Sequence, residues 1–299
     1  MASIADPAVT ALPRRPKRPV LHFIGRLFRE KPLGAAGAVI FVLFLFCGVF
    51  ADVLAPYGMN QINPINRLKP PSLQWPFGTD NLGRDMLSRC LYGAQLSVII
   101  GFCAAGIATI ISVVLGIVSG YLGGKFDLVL QRFVDAWMSF PDLIILIVVV
   151  SVVGPGMPQI IGTLGLLLGI AGSRIIRGAV ISVRENMYVH AAQSTGASTF
   201  RVLWRHILPN VAAPVIVLFT TRVGTVILAE SGLSFLGLGV PPPAPTWGGL
   251  LSGSGRTYML QGPWLALAPG LCLTVVVYAT NMFGDALRDL LDPRMRGSR

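Results

Sequence analysis

The sequence predicts an all-α integral membrane protein with six membrane-spanning helices and both termini on the cytoplasmic side. Three observations predict it. Apolar residues make up 53% of the 299 positions and charged residues 12%, with a mean hydropathy of +0.69, which excludes an ordinary soluble domain. The apolar residues gather into runs close to the ~20 residues that cross the hydrocarbon core. The basic residues fall mainly between alternate runs, as they do on cytoplasmic loops.

Residues 1–32 form a basic tail carrying Arg14, Arg15, Lys17, Arg18, Arg26, Arg29 and Lys31. Pro7, Pro13, Pro16 and Pro19 mark its first part as disordered. Arg14-Arg15 would suit a twin-arginine export signal, but the following apolar run starts far downstream and is too long for a signal-peptide core. The first span is expected from about Leu33 to Val53, and an external segment follows to residue 95. Residues 96–299 then read as a five-helix core. Its first span, from about Leu96 to Tyr121, offers Gly101, Gly106, Gly116 and Gly120 for close helix contacts. The next reaches about Val153 with Pro141 inside it, and Gly154-Pro-Gly-Met-Pro158 makes a tight turn. A fourth run continues to about Ala171, a fifth covers Val211 to Ala229, and a sixth covers Trp264 to Phe283.

An even number of spans places both termini on one side. That side collects eighteen Lys/Arg, including Lys125, Arg132 and those of a loop at 173–209, against five (Arg67, Lys69, Arg84, Arg89 and Arg256) on the other. The asymmetry assigns the termini to the cytoplasm. It also explains the net charge of +11 better than nucleic-acid binding does, since almost no aromatic residues interleave with the basic ones. Cys47, Cys103 and Cys272 lie inside apolar runs and Cys90 beside one, with no metal-ligand spacing. They read as structural, and no metal site is expected.

The loop at 173–209 is the most informative stretch. It contains Tyr188-Val-His-Ala-Ala-Gln-Ser-Thr-Gly-Ala, ends at Ile207-Leu208-Pro209-Asn210, and sets Arg184, Arg201 and Arg205 against Glu185. The small residues Ala191, Ala192 and Gly196 would let another protein's backbone approach, and Pro209 can open the fifth span. The bland reading is a solvated basic connector. The spacing of Ala191-Ala192, Gly196 and Ile207-x-Pro209 resembles the "EAA" loop of ABC-importer permeases, which grips the ATPase. Phe77-Gly-Thr-Asp-Asn-Leu-Gly-Arg-Asp-Met-Leu-Ser-Arg89, Glu230-Ser-Gly-Leu-Ser-Phe-Leu-Gly-Leu-Gly239 and Gly284-Asp-Ala-Leu-Arg-Asp-Leu-Leu-Asp-Pro293 resemble signatures of the dipeptide/oligopeptide subfamily. The resemblance covers nearly everything after residue 30 and implies a type I importer permease fold, of the subunit type with an extra N-terminal span. It also implies that His190, Ala191, Ala192, Gly196, Ile207, Leu208 and Pro209 dock the ATPase. This chain departs from the family in carrying His190 where an acid is common.

In the external segment, Asp80 and Asp85 flank Gly83, but the alternating acids and closing Glu of a calcium loop are missing, with Leu91 in the Glu position. An N-cap by Asp80 or Asn81, followed by an amphipathic helix through Tyr92, fits better. By resemblance Asp80, Gly83, Arg84 and Asp85 lie at an outer gate. Phe235, Gly237 and Gly239, ahead of Pro241-Pro-Pro243, would form a re-entrant element there, against the bland alternative of an interfacial loop. Arg222 sits mid-span, where insertion costs roughly 2.5–3.5 kcal/mol. It is expected to line the pathway with Glu230, or else to pair with an acid on a neighbouring span or chain.

Gly120-Tyr-Leu-Gly-Gly-Lys125 fails the Walker pattern, with Ser119 and Phe126 where Gly and Ser/Thr belong. No nucleophile–base set is visible, so the chain is expected to be a transport subunit without a cofactor of its own. The resemblance implies a second permease chain, ATPase subunits that hold ATP and Mg, an external solute-binding protein and a peptide substrate. Nickel chelates, opines and sugars are the alternative cargoes. A secondary transporter or channel is the rival class, but it would show an internal repeat and more ionisable residues within the spans.

Overall fold

The computed structural model describes residues 19–291, which are built from helices without a β-sheet. The helices are α1 (Pro19–Glu30), α2 (Pro32–Val49), α3 (Ala51–Leu54), α4 (Met86–Leu122), α5 (Gly124–Met138) and α6 (Asp142–Val153). They continue with α7 (Met157–Arg184), α8 (Met187–Ser194), α9 (Thr199–Val202), α10 (Ala212–Phe235), α11 (Trp247–Leu250) and α12 (Trp264–Leu291). Five helical stretches are long and apolar enough to cross a membrane, and there are six crossings if α5 and α6 count together.

The packing shows why they do. Helices α4 and α7 run parallel along an extensive seam of small residues. An added Cβ at Gly165 would press on Ile107, one at Gly169 on Ile111, and one at Gly116 on Ile176. Small residues let the two backbones approach closely, which is how membrane helices gain contact without a hydrophobic driving force. Two parallel neighbours need an intervening return across the bundle, and α5–α6 supply it. The expected single span over Pro141 is bent by 82° between them. Pro141 cannot donate a backbone hydrogen bond, and α5 carries Asp127, Arg132 and Asp135 on a polar face. Of the two, α6 is the apolar one, with Asp142 and Ser151 as its polar residues.

Helices α2, α10 and α12 complete the bundle. Gly37 of α2 meets the Ala279 carbonyl of α12, and Phe41 packs on Phe102 and Phe283. The start of α2 and the end of α12 therefore lie together at one end of the bundle, here the tail end, beside the end of α7. Of the glycines read as contacts in the second span, Gly116 and Gly120 face α7 and Gly101 faces α10, whereas Gly106 has open space around it.

Several helix boundaries differ from expectation: α2 stops at Val49, α10 runs on to Phe235 and α12 to Leu291, and the two ends of the α4–α7 pair differ most. Asp85, not Asp80 or Asn81, caps α4, its carboxylate accepting from Ser88 N at 2.8 Å and Ser88 Oγ at 2.7 Å. The helix then continues unbroken past Tyr92, because Gly93 is pressed against Trp247 rather than released into a turn. Helix α7 runs on past Ala171 to Arg184. Its charged last turns are paired: Arg177 holds Asp127 through Nε at 2.6 Å, Arg174 pairs with Asp135, and Arg184 donates to the Tyr121 carbonyl at 2.9 Å.

Candidate functional site

The segment joining α7 to α10 is a compact helical platform on the tail end. Four apolar side chains on its underside, Val189, Val202, Ile207 and Val211, are fully buried. They pack with Ile117, Ile176, Val180 and Leu218 of the spanning helices. Helix α8 stops in a Schellman turn, in which Gly196 N donates to the Gln193 carbonyl and Ala197 N to the Ala192 carbonyl. That turn requires the left-handed backbone of Gly196, at φ +80°. Ser198 then caps α9. The chain passes through a π-helical turn at Leu203–Ile207 and a 3-10 turn at Leu208–Val211 into α10.

The structure sorts the seven predicted docking residues by role. Ile207 is a buried anchor, while Leu208 and Ala192 are half-buried. His190, Ala191, Gly196 and Pro209 are exposed. An added Cβ at Gly196 meets nothing, so within this chain the glycine serves the turn and leaves its outer side open. Sequence reasoning missed the most prominent outward residues. Met187 is 85% exposed, Phe200 75% and Trp204 66%, and the Phe200 and Trp204 rings stack with centroids 6.4 Å apart. The signal was present as large apolar residues interleaved with Arg201 and Arg205 in a segment outside the spans. An aromatic patch with an arginine rim is the composition of an interface centre.

Arg222 and Glu230 share α10 but not a site. The Arg222 guanidinium is buried between α4 and α7. It donates to Ser112 Oγ at 3.1 Å and to the Leu168 carbonyl, and Gly172 leaves the room it occupies. Ser112 Oγ in turn donates to the Gly169 carbonyl at 2.7 Å. No acid contacts Arg222 among the described residues, and within this chain Ser112 Oγ and the Leu168 carbonyl are its partners. Glu230 is 1% exposed and accepts from Ser234 Oγ at 2.6 Å.

At the far end, Asp80 organises the turn that precedes α4. It is fully buried and accepts from Leu82 N at 2.8 Å, Arg84 N at 2.9 Å and Arg84 Nε at 2.7 Å. Gly83, at φ +72°, lies so close to the Asn63 carbonyl that a Cβ would collide with it. Asp80, Gly83, Arg84 and Asp85 thus form one rigid turn. Phe235 and Gly237 belong to the end of α10, not to a re-entrant element. Gly237 N donates to the Ser234 carbonyl and Leu238 N to the Leu233 carbonyl, a second Schellman turn, and Gly239 packs on Ser234. The segment that turns back into the bundle comes later, at Trp247–Gly255. Its anchor, Trp247, is 2% exposed and donates through Nε1 to the Cys90 carbonyl at 3.0 Å.

Two family models match this chain. One, described as a binding-protein-dependent transport system inner membrane component, matches residues 112–297. The other, the N-terminal TM domain of oligopeptide transport permease C, matches residues 24–71. The dipeptide transport system permease protein DppC of Alkalihalophilus pseudofirmus is 38% identical over 90% of this chain and 88% of its own length. A putative peptide transport system permease protein of Brucella suis is 38% identical over 99% of both chains. The glutathione transport system permease protein GsiD of Escherichia coli is 38% identical over 92% of this chain and 91% of its own. A bundle of apolar helices, a platform clamped to one end of it and these matches agree. The chain belongs to the binding-protein-dependent transport system inner membrane components, as a multi-pass permease subunit of a bacterial ABC importer and not an enzyme.

Proposed function

We propose that this chain forms one half of the translocation pathway of an ATP-driven peptide importer, with its tail end in the cytoplasm. The other half is a second, homologous permease. ATPase subunits, which hold the ATP and Mg, dock on the Met187–Val211 platform, and an external solute-binding protein delivers cargo to the far end. The platform is the observation that carries this reading. Its underside is locked to α4, α7 and α10 through Val189, Val202, Ile207 and Val211, while its outer side presents Met187, Phe200 and Trp204. A push on that outer side is transmitted to three spanning helices as a rigid body, which is what coupling ATP closure to alternating access requires. Peptide cargo is supported by the dipeptide, peptide and glutathione names of the relatives.

The double variant Phe200→Ala, Trp204→Ala tests the docking role in the co-expressed complex. Truncating two interface-centre aromatics at about 2 kcal/mol or more each should release the ATPase subunits on purification and abolish substrate-stimulated ATP hydrolysis. Membrane abundance should stay normal. Full coupling in that variant would overturn the docking assignment. Uptake of labelled dipeptide, competed by oligopeptide, nickel chelate, opine or sugar, tests the cargo separately.

A further inference from the structure

The short helix α1, ahead of the first span, has an apolar face that the spanning bundle only half covers. Phe23 and Leu27 are packed against Ala35 and Ala38 of α2 and against Phe283, Ala286 and Leu290 of α12. The next stripe around the same helix is uncovered: Leu21 is 57% exposed, Ile24 44% and Phe28 54%. These three are spaced i, i+3, i+7 and share one face. Arg26 and Glu30 lie on the opposite side, where Arg26 Nε donates to Glu30 Oε1 at 3.0 Å, and the exposed Arg29 flanks the stripe.

Position says what covers the bare stripe. Lys31, with non-helical backbone before Pro32, separates α1 from the spanning helix α2. Its ammonium holds Asp289 near the end of α12 at 2.5 Å. Helix α1 is thereby fixed where two spanning helices end, at the level of the membrane boundary. The sequence around it is strongly basic, with seven Lys/Arg and only Asp6 and Glu30 as acids through residue 31. A helix with an apolar stripe, a charged remainder flanked by Arg29 and a location at the boundary matches an in-plane interfacial helix. The basic cluster beside a span matches anionic lipid headgroups.

We propose that α1 lies in the plane of the membrane surface, with Leu21, Ile24 and Phe28 in the acyl boundary, drawn to anionic phospholipid headgroups by the basic charge of the sequence around it. The assembled importer tests it, carrying Ile24→Cys or Phe28→Cys with Cys47, Cys90, Cys103 and Cys272 replaced. It is spin-labelled and placed in nanodiscs of phosphatidylcholine, with or without phosphatidylglycerol. Labels at 24 and 28 should be reached by oxygen and shielded from a water-soluble nickel chelate, at a depth of about 5–10 Å, and Arg29→Cys should show the reverse. Phosphatidylglycerol should deepen positions 24 and 28, and replacing Arg14, Arg15, Lys17 and Arg18 by Gln should remove that response. Shielding from both reagents would mean that a partner subunit covers the stripe and would overturn the proposal. So would free access of the nickel chelate, or a depth indifferent to phosphatidylglycerol.

Discussion

Arg222 and Gly83 are held by backbone carbonyls and close approaches, not by ion pairs with an acid. Arg222 has two partners, one a hydroxyl and one a main-chain carbonyl. Replacing it with Gln leaves buried polar groups short of donors, at about 1–3 kcal/mol. Arg222→Gln should lower membrane abundance and the unfolding temperature in detergent, while uptake per inserted molecule stays close to wild type. Arg222→Lys should recover part of the lost stability. A specific loss of uptake at normal stability would favour the pathway role. Gly83 is constrained twice, by φ +72° and by the Asn63 carbonyl. Gly83→Ala should cost about 1–3 kcal/mol of local stability, seen as faster proteolysis of the 56–85 segment with the spans intact.

At the scale of elements, the platform depends on a left-handed turn that most residues resist. The Gly196 backbone costs a β-branched residue about 1–2 kcal/mol, whereas Asn enters the left-handed region with little penalty. Gly196→Asn should therefore keep coupling close to normal, and Gly196→Val should reduce substrate-stimulated ATP hydrolysis. Equal coupling in the two would separate the turn from function. Much of this element was legible. The small residues, the arginines and the Ile207-x-Pro209 ending located the loop, but not which of its faces points outward. That choice is made by Val189, Val202 and Ile207 finding a buried partner in Ile176 and Val180. Met187, Phe200 and Trp204 are left outside.

Across the whole molecule, the order of helix contacts sets the topology. The parallel α4–α7 seam forces a return through α5–α6, and the meeting of Gly34 with Ala286 brings the start of α2 and the end of α12 together at one end of the bundle. Reporter fusions after residues 60 and 240 should read external, and those after 125, 195 and 299 cytoplasmic, following the bias of basic residues. An external C-terminus would be incompatible with six crossings.

The sequence by itself determined the membrane class, five of the crossings and the position of the platform. Apolar run length and the placement of charge are local properties, and the bilayer reads them directly. Only the tertiary structure decided where the third run breaks, how far α7 continues and what Arg222 touches. Helix ends are set by backbone hydrogen bonding and by partners distant in sequence, such as Asp127 for Arg177. A hydropathy profile does not record them. The same holds for Asp85 as the cap of α4 and for Trp247 as the anchor of the segment that turns back into the bundle. Each role exists only because a carbonyl, a hydroxyl or a gap between helices is brought to it by the fold.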